Sequence, residues 1–170
     1  MNLEQIAAKL IAAFPEAGLE LKAETKAPYI GVPASHLLQV CERAIKDPEL
    51  GGDCLTELGA WDMPEAQQIW VRYHIHSYSQ GHDFALQVIL PRDNPSVPTV
   101  SGLWKVANWL EREQFDLVGV HFEGHPNLRR LLLPDEWNGH PLRRDYVEGP
   151  QVLGIETTRD NYVDMLRGIS

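Results

Sequence analysis

The chain has 170 residues and a mass of 19.2 kDa, with 15 Lys and Arg against 24 Asp and Glu, a formal charge of −9. A chain of this size buries most of its unfolded surface without staples, and 44% hydrophobic with 23% charged residues excludes a disordered or fibrous chain. The acidic balance, relieved only by the doublets Arg129-Arg130 and Arg143-Arg144, argues against nucleic acid as a partner; Cys41 and Cys54 are too few thiolates for a cluster, and no run approaches the ~20 apolar residues of a membrane span.

From Leu3 to Phe14, apolar residues recur at the spacing of one helical face and Pro15 ends the pattern, which predicts a helix. Glu4 and Lys9 interrupt what would otherwise have to be the apolar stretch of a secretory leader. Leu19 to Lys22 and Tyr29 to Val32 read as two short strands. Ser35 is placed to cap a second helix whose stripe is Leu37, Leu38, Cys41, Ala44 and Ile45, ending at Asp47-Pro48; Cys41 then faces the core as a small hydrophobe. Period-two alternation from Ile69 to His76 and again from Phe84 to Leu90, across a Ser-, Gly- and His-rich turn, predicts a hairpin. Pro91, Pro95 and Pro98 hold an extended connector, after which Leu103, Val106, Ala107 and Leu110 mark a helix ending near Glu113. Leu117 to Phe122 reads as a strand running into a turn.

These elements predict an α+β domain of two layers, helices on a mixed and largely antiparallel sheet, followed by an extended Gly/Pro-rich C-terminal segment. Residues 1–115 are expected to be globular and residues 116–170 to be an interface segment and tail of the same structural unit.

Three patterns invite chemistry. His121-Phe122-Glu123-Gly124-His125 imitates a two-histidine zinc motif, but the glutamate is displaced by one, and Gly124 and Pro126 break the helix on which such histidines share a face. His74 and His76 share a strand face without a nameable third ligand. Glu111, Glu113 and Asp116 beside Arg112 read as an ion-paired, solvated helix end, the carboxylates held ionised by the arginine. No phosphate loop and no nucleophile elbow is present.

The last third resembles a known family. Ala107-Asn108-Trp109-Leu110-Glu111-Arg112-Glu113, then Asp116-Leu117, Gly119 and Phe122-Glu123-Gly124-His125-Pro126-Asn127-Leu128-Arg129, then Leu132 to Tyr146 with Trp137, Gly139, Pro141, Leu142, Arg143, Arg144 and Asp145, is similar to the C subunit of the proton-pumping NADH-quinone oxidoreductase, respiratory complex I. Trp70 to Trp104 fit more loosely, Met1 to Asp62 only in layout, and Val118 and Val147 depart from the aromatic residue and the proline usual at those positions. The resemblance implies a subunit without catalytic, cofactor or metal residues of its own. It would lie in the peripheral arm on the cytoplasmic side of the bacterial inner membrane, against the quinone-site and terminal-cluster subunits of the complex. FMN, iron–sulfur clusters, NADH and a quinone would belong to the whole complex, or a related membrane hydrogenase or ferredoxin-quinone reductase would use the same subunit. A histidine-based metal-dependent hydrolase is the reading from a different class. On the first reading Gly119, Gly124 and Gly139 allow close approach, Pro126 and Pro141 stiffen the segment, Arg129, Arg143 and Arg144 pair with carboxylates on a neighbour or within the tail, and Trp137 is a packing anchor.

Overall fold

A reciprocal cap starts the first helix, α1 (Leu3–Ala13): in the computed structural model, the Asn2 side chain accepts from the Gln5 backbone N–H at 2.9 Å, and the Gln5 side chain accepts from the Asn2 N–H at 3.1 Å. The structure describes residues 1–147, 149, 151–152 and 155–156, so most of the expected tail beyond 147, including 157–170, lies outside the described residues. Strands β1 (Glu20–Lys22) and β2 (Tyr29–Gly31) follow, then α2 (Leu37–Lys46). Ser35 does not cap α2. It lies within a single 3-10 turn, Ala34–His36, that precedes the helix, and its hydroxyl bonds the His36 ring at 3.0 Å instead. Along α2, Leu37, Val40, Cys41 and Ala44 are buried while Leu38 is exposed and Ile45 half-buried, so Val40 and not Leu38 completes the apolar stripe.

Three ten-residue strands form the body of the sheet: β3 (Cys54–Met63), β4 (Gln68–Ser77) and β5 (His82–Pro91). The five strands run in the order β1-β2-β5-β4-β3, with only the β2–β5 pair parallel. The expected mixed, largely antiparallel sheet is thus present. In β4 the alternation is complete: Ile69, Val71, Tyr73 and Ile75 are buried, whereas Trp70, Arg72, His74 and His76 are half-buried on the other face. The buried row joins Leu55, Leu58, Leu86 and Val88 and the apolar stripes of α1 and α2 in one core. Each such side chain contributes about 1.5–3 kcal/mol by leaving water.

The connector holds a short strand, β6 (Ser96–Pro98), and the last helix is α3 (Ala107–Leu117). The helix starts later than Leu103 and runs past Glu113. Residues before it are spent in tight turns, with the N–H groups of Leu103 and Trp104 both on the Val100 carbonyl, because the Trp104 indole is pinned in the core by a 3.1 Å hydrogen bond to the Gly52 carbonyl. Leu117 therefore ends α3, and the expected strand shrinks to β7 (His121–Glu123), paired parallel with β6. A two-residue ladder, β8 (Gln151–Val152) with β9 (Ile155–Glu156), is the last described structure.

Candidate functional site

The end of α3 organises everything that follows it. Gly119 has φ +83°, the left-handed conformation that closes helices, and its N–H donates back to the carbonyls of Gln114 and Phe115 at 3.0 and 3.1 Å. The His140 ring fills the space where a side chain at 119 would begin, since a Cβ there would lie 2.6 Å from it. One turn earlier, the buried Asp116 carboxylate receives the chain on its return. Its Oδ2 accepts from the backbone N–H groups of Leu131, Leu132 and Leu133 at 2.9, 2.7 and 3.0 Å, and its Oδ1 accepts from Arg130 at 2.8 Å. Successive N–H groups turned toward one oxygen form an anion nest, here filled by the protein's own side chain. Burial opposes the charge of Asp116, but the nest and the Arg130 guanidinium outweigh it and hold the carboxyl below its ordinary range. Arg130 extends the network, donating to the carbonyls of Trp137 at 3.0 Å and Gly139 at 3.1 Å, while the His140 Nδ1 donates to the Asp116 carbonyl at 2.9 Å. Burial first, then the neighbouring Arg143 and Arg130, lowers the tendency of His140 to protonate.

The rest of α3 divides its polar groups between two sides. Arg112 is buried and donates to the carbonyls of Arg129 and Arg130 at 3.2 and 3.0 Å, with its guanidinium 5.1 Å from the ring centroid of Trp109. Glu111 points away from it, accepting from the Val100 N–H at 2.7 Å and from the Thr99 hydroxyl. The expectation of a solvated helix end is therefore wrong for Glu111, Arg112 and Asp116, all of which are buried; Asp116 is ion-paired, but with Arg130 rather than Arg112. Only Glu113 is merely half-buried. Nor does Arg112 hold Glu111 ionised: burial pushes the Glu111 carboxyl up to about 7, against the Thr99 and Val100 hydrogen bonds. His125 lies 3.9 Å from that carboxylate, donates from Nε2 to the Asn108 carbonyl at 3.1 Å and accepts at Nδ1 from the Asn127 N–H at 3.0 Å. These partners fit a neutral ring carrying its proton on Nε2.

A second set of bonds fastens the coil to the sheet edge. Asp62 on β3 is buried and receives a two-pronged bond from Arg92 at 2.6 and 2.9 Å, and it also accepts from the Arg144 N–H at 2.9 Å. Arg92 reaches on to Asp145 at 2.6 Å. Arg92 first, against burial, and then the Arg144 N–H depress the Asp62 carboxyl. Between the two fastenings, the Leu142 N–H donates to the Leu117 carbonyl at 3.0 Å and Arg143 Nε to the Val118 carbonyl at 2.8 Å. The Tyr146 ring packs on Gly139, which has φ +84° and where a Cβ would lie 3.0 Å from the ring.

The signature residues thus fall into an inner and an outer group. Phe122 is buried in β7, Leu128 packs against the core, and Trp137 and Pro141 are half-buried, the Trp137 indole N–H being buried without an acceptor among the described residues. Exposed are Trp109 at 58%, Leu142 at 58%, Gly124, Pro126, Arg129, Arg144 and Asp145. Arg129 and Arg143 meet no carboxylate within ion-pair reach among the described residues, and Arg144 comes only to 3.9 Å from Glu65. Sequence reasoning noted Arg130 only in its doublet with Arg129 and gave no role to Asp62, Arg92 or His140. Asp62 and Arg92 are brought to the coil only by the sheet.

The histidines do not converge. His121 is exposed on β7, Gly124 turns the chain at φ +78°, and His76 bonds Asp83 at 2.7 Å. Among the described residues, no group of three or more His, Cys, Asp or Glu side chains could hold a metal ion, and Cys41 is buried with its thiol pushed strongly toward the protonated form by burial.

Comparison with known proteins gives the family and the fold. The NADH-quinone oxidoreductase C subunit of Moorella thermoacetica is 41% identical over 133 residues, 78% of this chain and 87% of that protein. Among solved structures, a trypsin-resistant fragment of Nqo5 superposes with a TM-score of 0.63 at 27% identity, covering 75% of this chain and all of the fragment. A chain of an archaeal membrane-bound sulfane sulfur reductase complex shares the fold, with a TM-score of 0.66 at 22% identity over 97% of this chain and 91% of that one. Residues 30–152, which hold the three long strands of the sheet, α3 and the coil with both fastenings, match the model of the respiratory-chain NADH dehydrogenase 30 kDa subunit, and the chain belongs to that family.

Proposed function

We propose that this chain is a non-catalytic subunit of the peripheral arm of a proton-translocating NADH:quinone oxidoreductase, helping to assemble its quinone-reducing module. Residues 116–170 would be clasped by neighbouring polypeptides, with the quinone-site subunit and the terminal-cluster subunit as the proposed partners, on the cytoplasmic side of a bacterial inner membrane. One observation carries this reading. The coil is braced from within, through Asp116 and Asp62, and yet presents Leu132, Leu142 and Val147 outward, with Trp109 of α3 also exposed and the buried Trp137 indole N–H left without an acceptor among the described residues. Exposed apolar side chains on an internally braced backbone are what a pre-organised protein interface needs.

Of the groups such a complex uses, FMN, iron–sulfur clusters, NADH and a quinone, the described residues fit no cluster. Cys41 is enclosed in the core, and Cys54 has no companion thiolates. Redox chemistry is accordingly assigned to other subunits. The fold shared with an archaeal respiratory membrane complex supports a second reading within the same class, the equivalent subunit of a related membrane hydrogenase or ferredoxin-quinone reductase.

Replacing Arg143 or Trp137 by Ala tests the proposal. Less of the chain should be recovered in the membrane-extracted assembly, while quinone reduction per intact particle stays near normal. Full assembly of the Arg143→Ala chain together with lost quinone reduction would refute the scaffold reading.

A further inference from the structure

The helices cover one face of the sheet, and the opposite face carries a feature that the assembly reading does not explain. One row of residues crosses it in register: Gly31 on β2 lies beside Gln87 on β5, Gln87 beside Arg72 on β4, and Arg72 beside Gly59 on β3. A hollow lies on either side of a central Arg–Gln pair, and Gly31 lines one of them. One hollow, of about 210 Å³, is lined by Gly31, Tyr29, Ile89 and Gln87; the other, of about 260 Å³, by Trp61, Trp70, Arg72, Gln87 and Arg144. Gly59 also gives Trp61 its place, because the indole lies across it, 3.2 Å from where a Cβ would be.

Donors outnumber acceptors in this row. Arg72 Nε and Nη2 both donate to Gln87 Oε1, at 3.0 and 2.6 Å, and since a guanidinium only donates, this fixes which way the Gln87 amide points. The Gln87 Nε2 is then a buried donor without an acceptor among the described residues, on a side chain only 1% exposed. Arg72 itself lies between two rings, 4.9 Å from the Tyr29 centroid and 5.6 Å from that of Trp61, and no carboxylate among the described residues reaches it. In the same cross-strand row Glu20 is already paired with Lys22 at 2.6 Å. A half-buried cation held between aromatic walls, beside an unpaired amide donor, is complementary to a carboxylate. The hollows are smaller than the ~300 Å³ at which pockets for small molecules begin, and exposed Trp61 (44%) and Ile89 (49%) flank them, which suits a covering surface better than an enclosed ligand.

We propose that the Arg72–Gln87 pair is a carboxylate-recognition site for an apolar, acid-bearing segment of a neighbouring protein docked on the open face of the sheet. The neighbour, though not the site, rests on the assembly reading above. Two measurements separate them. In the first, the isolated full chain is titrated with N-acetyl-phenylalanine and with its uncharged amide, following the Arg72 Nε and Trp61 indole signals by NMR. The acid should saturate and bind at least about tenfold more tightly than the amide, and Arg72→Met should abolish the difference. Equal binding, or no saturation by the acid, overturns the site whatever the assembly state.

In the second, the assembly extracted from membranes of cells carrying Arg72→Lys is treated with a carbodiimide. The reagent activates a carboxyl, the introduced amine attacks it, an amide bond forms, and the carbodiimide leaves as its urea. Peptide mapping should then join position 72 to an Asp, a Glu or a chain-end carboxyl of another polypeptide. Attachment only within this chain, residues 157–170 included, or no attachment in a fully assembled particle, overturns the neighbouring occupant. Recovery of the chain with no companions overturns the assembly reading and that occupant together, and leaves the titration to decide the site.

Discussion

Replacing Asp116 by Ala removes the group on which the coil closes. Three backbone N–H groups at 2.7 to 3.0 Å and one guanidinium prong at 2.8 Å lose their acceptor at once, in a place where water does not reach the carboxylate. A hydrogen bond to a charged group is worth about 1.5–3 kcal/mol net, but four bonds to one carboxylate are not additive, and Arg130 keeps its three carbonyl partners, the backbone carbonyl of residue 116 among them. We therefore expect a loss of about 3 kcal/mol. If the chain unfolds as one unit, that lowers the melting temperature by about 6–12 °C for a protein of this size. If the coil opens alone, the loss appears as an increase of about 150-fold in hydrogen exchange at the Leu131, Leu132 and Leu133 amides, with the sheet amides unchanged. Asp116→Asn should fall between, since the amide oxygen still accepts while its NH₂ faces the donors of Arg130. The sign with pH follows from the depressed carboxyl: protection of these amides persists below pH ~4, where an unfolded-state aspartate protonates, and disappears only as pH falls through the folded value. Unchanged exchange at all three amides in Asp116→Ala, with an unchanged melting temperature, would refute the nest as the organiser of the coil.

Glu111 works in the opposite direction. With the carboxyl raised to about 7, the unfolded chain ionises first, so stability should fall between pH ~4.5 and ~7 and then level, by about 3 kcal/mol in all. Urea unfolding across that range should show the fall in the wild type and not in Glu111→Gln. Arg92→Leu strips the buried Asp62 of its two-pronged partner, so the Arg144 and Tyr146 amides should exchange faster; slow exchange there would show that the Arg144 N–H alone suffices. Gly119→Ala meets both a left-handed backbone and the His140 ring, and should cost about 2 kcal/mol in thermal unfolding, whereas Gly102→Ala, with open space and no positive φ, should be nearly silent.

Much of the fold was legible because it is periodic. The alternation of β4 and β5 and the α1 stripe are local patterns with a direct physical meaning, and they led to a two-layer α+β domain. The start of α3 was not legible, because Leu103 and Val106 have helical spacing yet belong to turns held by a Trp104 indole that reaches a carbonyl 52 residues away. Charge was misread for the same reason. Glu111, Arg112 and Asp116 look like a wet helix end until the returning coil and the β6 connector bury them.

The order of amino acids was enough to set most of the periodic elements, the acidic composition, the shortage of thiolates and the membership that residues 107–146 announce. Which carboxylates hold the coil, and which arginines stay unpaired, emerged only from the packing of those elements. Packing also aligned Gly31, Gln87, Arg72 and Gly59 in one row. The reason is that strand order and register bring together residues tens of positions apart. Local periodicity says which face a side chain takes, but not what it meets there.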